Sequence, residues 1–311
     1  MIRLAVSTTA EFPEKWTKRL MQGLAEAGLE ATIWRPGDGI SDAPYLLGWY
    51  PPLGVYKQFP NLTALFSFGA GVDHFLRDPD LPDLPVIKGA TDDLANRMAE
   101  FITLHALMVH RRHPEYQANQ RAHRWLELGQ KPASKVTVGF LGFGWLAAEA
   151  AKPLQALGFQ VRGWSRSPKQ APGVTCFAGQ DGLADFLAGT QILVCLLPLT
   201  DETRGILNAA LFAQLPPRAS LIQVGRGEQL TPADLIAALD SGHLYHAVLD
   251  VVPEEPLPAT SPLWDHPKIT VTPHVAAATD PGALGAHIKA EIDRIEAGQS
   301  PLHAINRGRG Y

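Results

Sequence analysis

The stretch VGFLGFGWLA at residues 138–147 decides the fold, because it sets a G-x-G-x-x-A pattern between an apolar run and an alanine-rich segment. Gly142 permits a tight turn after a strand, and Gly144 lets the backbone approach a pyrophosphate. Ala147 is small enough for close packing of the next helix. Glycines also mark ordinary turns, but the order of strand, turn and helix predicts a dinucleotide site. Its predicted cofactor contacts are Gly142, Phe143, Gly144, Trp145 and Leu146.

Outward from this motif, apolar runs of strand length alternate with helical segments from Lys135 to His274. This alternation is typical of a doubly wound domain with a parallel sheet. A second series of short apolar runs occupies the first hundred residues, and a final helix is predicted at 281–297. A long helix runs from Asp93 to about His113. The polar segment 113–135 lacks strand patterning, and we interpret it as a connection between two domains.

Composition bounds the class of protein. A chain of 311 residues is long enough for about two domains, each with its own core. The formal net charge of -4 and the lack of a Lys/Arg block argue against nucleic-acid binding. The sequence shows no signal-peptide pattern and no apolar run of about 18 residues, so we expect no membrane association. The two cysteines, Cys176 and Cys195, favour reduced thiols and a cytoplasmic location.

The segment GWSRSPK at 163–169 discriminates between the two nicotinamide cofactors. An NAD site carries Asp or Glu about 20 residues after the glycine motif, where the carboxylate binds the ribose diol. This segment has no carboxylate and offers hydroxyl and cationic groups to a phosphate, although the cations could also be solvated turn residues. It predicts NADPH as the preferred cofactor and NADH as the alternative. The residues concerned are Ser165, Arg166, Ser167 and Lys169.

Three segments follow predicted strands of the second series, namely QVGRG (223–227), LDVVPEEPLP (249–258) and TPHVAA (272–277). Ligands of open parallel sheets bind at the carboxyl ends of the strands. There Arg226 can clamp a carboxylate, and His274 can protonate a carbonyl oxygen. A glutamate bonded to the imidazole would fix its tautomer, and Glu254 competes with Glu255 for that position. This set of residues suits the reduction of a 2-keto acid.

Together these motifs resemble those of the D-isomer specific 2-hydroxyacid dehydrogenases over nearly the whole chain, and most closely the glyoxylate/hydroxypyruvate reductase A subgroup. The supporting stretches are GAGVDH (69–74), WSRS (164–167), LLPLTDETRGIL (196–207), LDVVPEEPLP (249–258), SPLW (261–264), TPHVAA (272–277) and the terminal RGRGY. The resemblance implies a Rossmann-type cofactor domain, residues 101–279, inserted in a flavodoxin-like substrate domain, residues 1–100 plus 280–311. It also implies reduction of glyoxylate and hydroxypyruvate to D-2-hydroxy acids by a homodimer.

The resemblance implies roles for the polar residues of the three segments. Arg226 would bind the substrate carboxylate, Glu255 would hold the imidazole, and His274 would act as acid and base. Asp250 would hold the nicotinamide carboxamide, although an aspartate after a strand could also be a turn residue. Further cofactor contacts are expected at Leu197, Pro198, Leu199, Val224 and Gly225.

The resemblance also implies substrate contacts in the first hundred residues. The GAGVDH loop, around Ala70 and Gly71, would present backbone N–H groups to the substrate carboxylate. Trp49 begins a W-x-P-P segment that would border the substrate, although an aromatic beside Pro-Pro is as often a packing residue. Asp73 and His74 lack further ligands at metal-like spacing, so we expect no metal.

The sequence departs from the family pattern at two positions and leaves two alternative functions open. Many relatives carry Asn three residues before the arginine, where this chain has Gln223, and the third glycine of the motif is Ala147. Neither change touches a group that performs chemistry. The alternatives are a reductase for another 2-keto acid and a non-catalytic, corepressor-like nucleotide sensor. The complete Arg, Glu and His set argues against a sensor, because a sensor needs no proton donor.

Overall fold

The structure is a computed structural model that describes residues 2–9 and 14–309. Gly310 and Tyr311 of the terminal RGRGY motif therefore lie outside the described residues. Among the described residues, no helix is both long and apolar enough to cross a membrane.

The described chain contains twelve strands, several of which begin and end where the apolar runs do. They are β1 (Ile2–Thr8), β2 (Leu29–Ile33), β3 (Tyr45–Trp49), β4 (Ala64–Ser67), β5 (Val86–Ile87), β6 (Thr137–Leu141), β7 (Gln160–Ser165), β8 (Val174–Ala178), β9 (Ile192–Cys195), β10 (Ala219–Gln223), β11 (Leu244–Leu249) and β12 (Ile269–Val271).

Nine α-helices connect or flank these strands over the same described ranges. They are α1 (Glu14–Glu26), α2 (Asp73–Leu76), α3 (Asp92–His110), α4 (His113–Arg121), α5 (Trp145–Ala156), α6 (Leu183–Ala188), α7 (Ala209–Phe212), α8 (Pro232–Asp240) and α9 (Pro281–Glu296).

The chain divides into two compact units. Unit 1 comprises Met1–Leu94 and Thr279–Tyr311, and unit 2 comprises Ala95–Ala278. The first boundary falls within the first turn of α3 rather than at residue 100, where the sequence analysis placed it. The reason is that Met98 and Ile102 of this helix are buried in the core of unit 2.

Unit 1 contains a five-stranded parallel sheet in the order β2-β1-β3-β4-β5. This order is that of flavodoxin-like folds, so the predicted architecture of this unit is confirmed. Helices α1 and α9 pack closely, because a Cβ at Gly23 would lie 2.5 Å from the carbonyl oxygen of Pro281. Leu284, Ile288 and Ile292 of α9 are fully buried in the same cluster as strand residues of the sheet.

Unit 2 contains a seven-stranded parallel sheet in the order β12-β11-β10-β9-β6-β7-β8. The six strands from β8 to β11 follow the Rossmann order, and β12 adds a seventh at one edge, so the predicted cofactor fold is confirmed. Successive residues of a strand point to opposite faces. Val194 accordingly lies in one buried cluster and Cys195 in another. Burial on both faces explains why the central strands read as continuous apolar runs.

Two elements of unit 2 differ from the sequence analysis. The segment 113–135 is not a plain connection between domains, because it begins with α4 and belongs entirely to unit 2. Helix α4 has no buried residue, so no apolar periodicity announces it; Pro114 in its first turn and the Arg112–Glu115 ion pair support it. Strand β8 was also missed, because all its residues are only partly buried or exposed.

Candidate active site at the carboxyl edge of the unit 2 sheet

The glycine-rich turn joins β6 to α5. Gly142 has a φ of 98°, and a Cβ there would lie 2.8 Å from the carbonyl group of Leu196. Only glycine fits this position, because both the left-handed backbone and the neighbouring chain exclude a side chain. Gly144 is the N-cap of α5, and apart from its chain neighbours no heavy atom of the described chain lies within 4 Å of its Cβ position. The arrangement offers helix-terminal N–H groups to a phosphate.

The segment after β7 lies beside this turn. The backbone amides of Gly142 and Phe143 both donate to the carbonyl oxygen of Trp164, at 3.0 and 2.8 Å. Lys169 Nζ donates to the carbonyl oxygen of Phe143 at 2.7 Å. Arg166 pairs with the exposed Glu202 at 3.4 Å. Of the predicted phosphate-binding cations, Lys169 therefore contacts the glycine-rich turn directly, and Arg166 lies three positions before Lys169 in the same segment.

Ser165 and Ser167 complete that segment. The hydroxyl of Ser165 donates to the carbonyl oxygen of Ser167 at 2.8 Å. Both oxygens of this contact belong to a turn with little burial, since Ser167 is exposed and Ser165 only half-buried. A hydroxyl can rotate, so Ser165 could donate to a phosphate in place of this hydrogen bond.

The arginine turn follows β10. Arg226 Nη1 donates to the carbonyl oxygen of Gly225 at 2.9 Å, and the side chain is only half-buried. A Cβ at Gly227 would lie 1.8 Å from the carbonyl oxygen of Val252, so the turn packs directly on the segment that carries Glu255. Val224 and Leu197, two further predicted cofactor contacts, are buried.

Asp250 directly follows β11 and is 2% exposed. Its carboxylate accepts three hydrogen bonds, from Thr272 Oγ1 at 2.6 Å and from the amides of Val275 and Ala276 at 2.9 Å each. Its own carbonyl oxygen accepts from the amide of His274 at 2.8 Å. Asp250 therefore holds the segment that carries His274 in place. Its contact with a nicotinamide carboxamide stays a prediction.

His274 and Glu255 form a direct pair. Nδ1 of His274 lies 2.8 Å from Oε2 of Glu255, and both side chains are about one-third exposed, at 35% and 36%. Glu254, the competing carboxylate, is exposed and makes no such contact in the described structure. Because a carboxylate accepts, Nδ1 carries the proton, and Nε2 is the atom that can exchange a proton with a ligand.

The electrostatics of this pair favour an ionised glutamate. Burial acts to raise the pKa of Glu255, but the hydrogen bond and charge of His274, the Val252 amide and Arg226 outweigh it and hold that pKa below its ordinary value. The Val252 amide donates to Oε1 at 3.1 Å. His274 has a φ of 53°, a conformation that non-glycine residues rarely adopt and that occurs often at functional sites.

Unit 1 carries the other predicted substrate contacts. The loop of Ala70 and Gly71 follows β4, where the hydroxyl of Ser67 donates to the carbonyl oxygen of Gly71 at 2.7 Å. Trp49 ends β3, and its ring lies 5.3 Å from the ring of His74. Trp49 thus belongs to an aromatic cluster as well as to the carboxyl edge of the sheet.

One group of potential metal ligands occurs among the described residues, and it is distant in sequence from Asp73. It consists of His287, Glu291 and His303 in unit 1. The carboxylate of Glu291 is buried and accepts from His303 Nδ1 at 2.6 Å and from the Leu302 amide at 2.9 Å. These hydrogen bonds satisfy the buried carboxylate. They also connect the C-terminal segment to α9.

Comparison with known proteins places this chain in a family. The model of the D-isomer specific 2-hydroxyacid dehydrogenase NAD binding domain matches residues 103–276. Glyoxylate/hydroxypyruvate reductase A of Serratia proteamaculans is 42% identical over 304 residues, which cover 96% of each chain. The chain belongs to the D-isomer specific 2-hydroxyacid dehydrogenase family.

Solved structures of this dehydrogenase family agree in fold over the whole length. A D-isomer specific 2-hydroxyacid dehydrogenase of Xanthobacter autotrophicus, in complex with NADPH and MES, is 42% identical and has a TM-score of 0.92, with 99% of each chain covered. An NADPH-dependent glyoxylate/hydroxypyruvate reductase of Sinorhizobium meliloti, in complex with NADP and sulfate, is 39% identical, with a TM-score of 0.93 and 100% of each chain covered.

Sequence reasoning did not identify every polar residue of this dehydrogenase edge. The Thr272 hydroxyl donates to the Asp250 carboxylate, and the Gln229 side-chain oxygen accepts from the Arg226 amide. No pattern distinguishes a lone glutamine after an arginine from a surface residue. Thr272 could have been found, because it directly precedes the Pro-His pair of the quoted motif.

Proposed function

We propose that this protein is an NADPH-dependent reductase that converts small 2-keto acids, glyoxylate and hydroxypyruvate, to D-2-hydroxy acids. The observation that carries the proposal is the His274–Glu255 pair at 2.8 Å, on the same sheet edge as Arg226 and the glycine-rich turn. The names of the Serratia and Sinorhizobium relatives support the same substrates.

The chain's own residues divide the work of the reaction. NADPH, when bound, supplies the hydride to the carbonyl carbon of the keto acid. His274 donates the Nε2 proton to the carbonyl oxygen, and Glu255 keeps Nδ1 protonated and the ring oriented. Arg226 orients the substrate through its carboxylate, which restricts the carbonyl to one approach. The roles of Trp49, Ala70 and Gly71 as substrate contacts stay predictions.

The preference for NADPH rests on the segment after β7. Lys169 contacts the glycine-rich turn, Arg166 belongs to the same segment, and no carboxylate occupies 163–169 to bind a ribose diol. A 2′-phosphate would compete with Glu202 for the guanidinium of Arg166. The NADPH and NADP complexes of the Xanthobacter and Sinorhizobium proteins support the same cofactor.

A turnover assay tests the function. We would follow the loss of reduced-nicotinamide absorbance with NADPH and with NADH, using glyoxylate, hydroxypyruvate and pyruvate. We expect the highest kcat/KM with NADPH and either of the first two acids. Arg226→Gln should raise the KM for the keto acid, whereas Arg218→Gln, a matched change at an exposed arginine, should not.

The assay also separates the alternatives. NADPH binding without turnover of any 2-keto acid would overturn the proposal and favour a nucleotide sensor. Turnover of only larger 2-keto acids would support the proposed reaction but contradict glyoxylate and hydroxypyruvate as its substrates. Turnover with NADH equal to or better than with NADPH would overturn the cofactor preference.

We further infer a homodimer in which unit 2 supplies the interface. Trp125 is fully exposed, and Leu126 and Leu104 are 55% and 54% exposed. Trp125 and Leu126 are adjacent in the sequence, and exposed apolar side chains of this size favour burial against a partner. Light scattering should give a dimer, and Trp125→Ser should weaken it, whereas Leu157→Ser, at an exposed leucine on α5's C-terminal side, should not. A wild-type monomer would overturn the inference.

We also infer a cytoplasmic location. Both cysteines are free, and burial raises the pKa of the Cys195 thiol to about 12, which suppresses the reactive thiolate. Fractionation of cells that express the chain should place it with cytoplasmic enzymes; recovery in another fraction would contradict this.

A further inference from the structure

Two fully buried glutamines lie behind the arginine turn. Gln223 ends β10 and Gln229 ends the short 3-10 helix that follows Arg226, and each is 0% exposed. A buried amide is tolerated only when its donors and acceptor are bonded. The partners of these amides therefore show what the amides hold together.

The amide of Gln229 bridges two loops. Its oxygen accepts from the Arg226 amide at 2.9 Å, and its nitrogen donates to the carbonyl oxygens of Leu197 and Pro198 at 3.0 Å each. Both N–H groups and the oxygen are thus bonded. The opposite orientation of the amide would set its oxygen against two carbonyl oxygens, so the donors and acceptors assign this one.

Gln223 completes the connection. Its nitrogen donates to the carbonyl oxygen of Arg226 at 2.8 Å and to the Gln229 oxygen at 3.3 Å. Both main-chain polar groups of Arg226 are therefore held by buried amides. A Cβ at Gly225 would lie 2.4 Å from the Gln229 oxygen. Glycine at this position leaves the room that the amide of Gln229 occupies.

We propose that Gln229 is a positioning residue that ties the substrate-binding arginine to the cofactor-binding loop at 197–198. The proposal rests on the proposed function, in which Arg226 binds the keto-acid carboxylate and the loop lies beside the cofactor. Gln229 is fully buried, so its role in this proposal is exerted through the main chain of the two loops. A displacement of about 1 Å can cost on the order of 10²-fold in rate, so the relative position of these two loops should affect the reaction rate.

A positioning role of Gln229 predicts a change in ligand binding that a purely structural role does not predict. Loss of Gln229 should weaken keto-acid binding and NADPH binding together, since the two loops lose their common anchor. Gln229→Glu should separate the effects. It keeps an acceptor for the Arg226 amide but offers the Leu197 and Pro198 carbonyls at most one proton, so it should impair NADPH binding more than keto-acid binding.

The test compares wild type with Gln229→Met, Gln229→Glu and the control Thr190→Val. Thr190 is 0% exposed and its hydroxyl donates to the Phe186 carbonyl at 2.6 Å, before the start of β9. The control removes a buried hydrogen bond at the opposite edge of the same sheet. Steady-state kinetics give kcat and the KM for glyoxylate, nicotinamide fluorescence gives the Kd for NADPH, and circular dichroism confirms folding.

We expect Gln229→Met to lower kcat/KM for glyoxylate about 10-fold to 100-fold and to raise both KM and Kd, with no such change in Thr190→Val. Folded Gln229→Met with wild-type KM and Kd, or an equal change in Thr190→Val, would overturn the proposal. If Gln229→Met does not fold, Gln229→Glu decides by its unequal effect on Kd and KM. A wild-type protein that turns over no 2-keto acid would instead refute the proposed function. The Kd for NADPH would then still test whether Gln229 positions the loop at 197–198.

Discussion

The carboxyl edge of the unit 2 sheet has two parts that are built differently. The catalytic edge consists of residues 225–229, 250–255 and 272–276, after β10, β11 and β12. The ribose turn consists of residues 165–169 and begins at the last residue of β7. Both follow parallel strands of one sheet, and both carry cations or proton donors.

The catalytic edge is held by buried hydrogen bonds and by direct packing of main chain on main chain. The Asp250 carboxylate holds the His274 segment, and Gln229 holds the Arg226 turn. In the ribose turn, by contrast, Arg166, Ser167 and Lys169 are exposed.

This difference follows from the two tasks. Proton transfer to a carbonyl requires a donor at hydrogen-bond distance in one orientation, so its side chain needs rigid support. Recognition of a phosphate by cations tolerates side-chain movement, because charge attraction depends weakly on angle. Substitutions should therefore cost more on the catalytic edge than on the ribose turn.

The largest effect is expected at His274. His274→Asn should lower kcat about 10²-fold to 10⁴-fold, because it removes the proton donor. The Kd for NADPH should stay near that of wild type. His266→Asn is the matched control, since His266 lies 3.3 Å from Asp240 in another imidazole–carboxylate pair of unit 2. Near-normal kcat in His274→Asn would show that another group donates the proton.

The ribose turn should respond in cofactor selectivity alone. Arg166→Gln should lower kcat/KM for NADPH about 10-fold to 100-fold, the effect of one charge-assisted hydrogen bond. The kcat/KM for NADH should change little. Arg204→Gln, at an exposed arginine close in sequence to Glu202, serves as the control. An equal loss with both cofactors would contradict a 2′-phosphate contact.

Asp250 tests the comparison between the catalytic edge and the ribose turn further, because its buried carboxylate accepts hydrogen bonds from main-chain amides. Asp250→Asn keeps the size but sets an N–H group against an amide of the His274 segment, which should lower kcat about 10-fold and reduce the Tm. Asp240→Asn, at an exposed carboxylate, is the control. A raised Kd for NADPH with unchanged kcat would favour the nicotinamide contact over the positioning role.

The smallest effect on catalysis is expected at His246, which nevertheless affects stability. Burial, then His105 and His266, lower the pKa of His246 to about 4. The unfolded state binds this proton near pH 6.5 and the folded state only near 4, so stability falls as the pH drops between them. The loss should reach about 2 kcal/mol at pH 5.

Urea unfolding at pH 7 and pH 5 measures this loss. His246→Gln should reduce the difference in unfolding free energy between the two pH values and leave kcat at neutral pH unchanged. An unaltered difference in this variant would assign the pH dependence to other groups, such as His105 and His287, whose pKa values burial also lowers.

Local patterns sufficed for much of the fold and the site. The glycine-rich turn and the apolar runs predicted the unit 2 sheet, because buried parallel strands need apolar residues on both faces. Helix α4 and strand β8 were missed, since elements without a buried face leave no periodic signal. Motif resemblance supplied Arg226, Glu255 and His274, whereas the residues alone left Glu254 and Glu255 open as the partner of His274.

The sequence by itself determined the fold class, the family and the residue types of the chemistry, because these depend on local spacing and composition. Only the tertiary structure decided that Asp250 holds the His274 segment and that Gln229 joins the loops of Leu197 and Arg226. Those bonds connect residues that are up to 32 positions apart. A hydrogen bond between distant residues requires that the chain bring them together, and no local pattern encodes that distance.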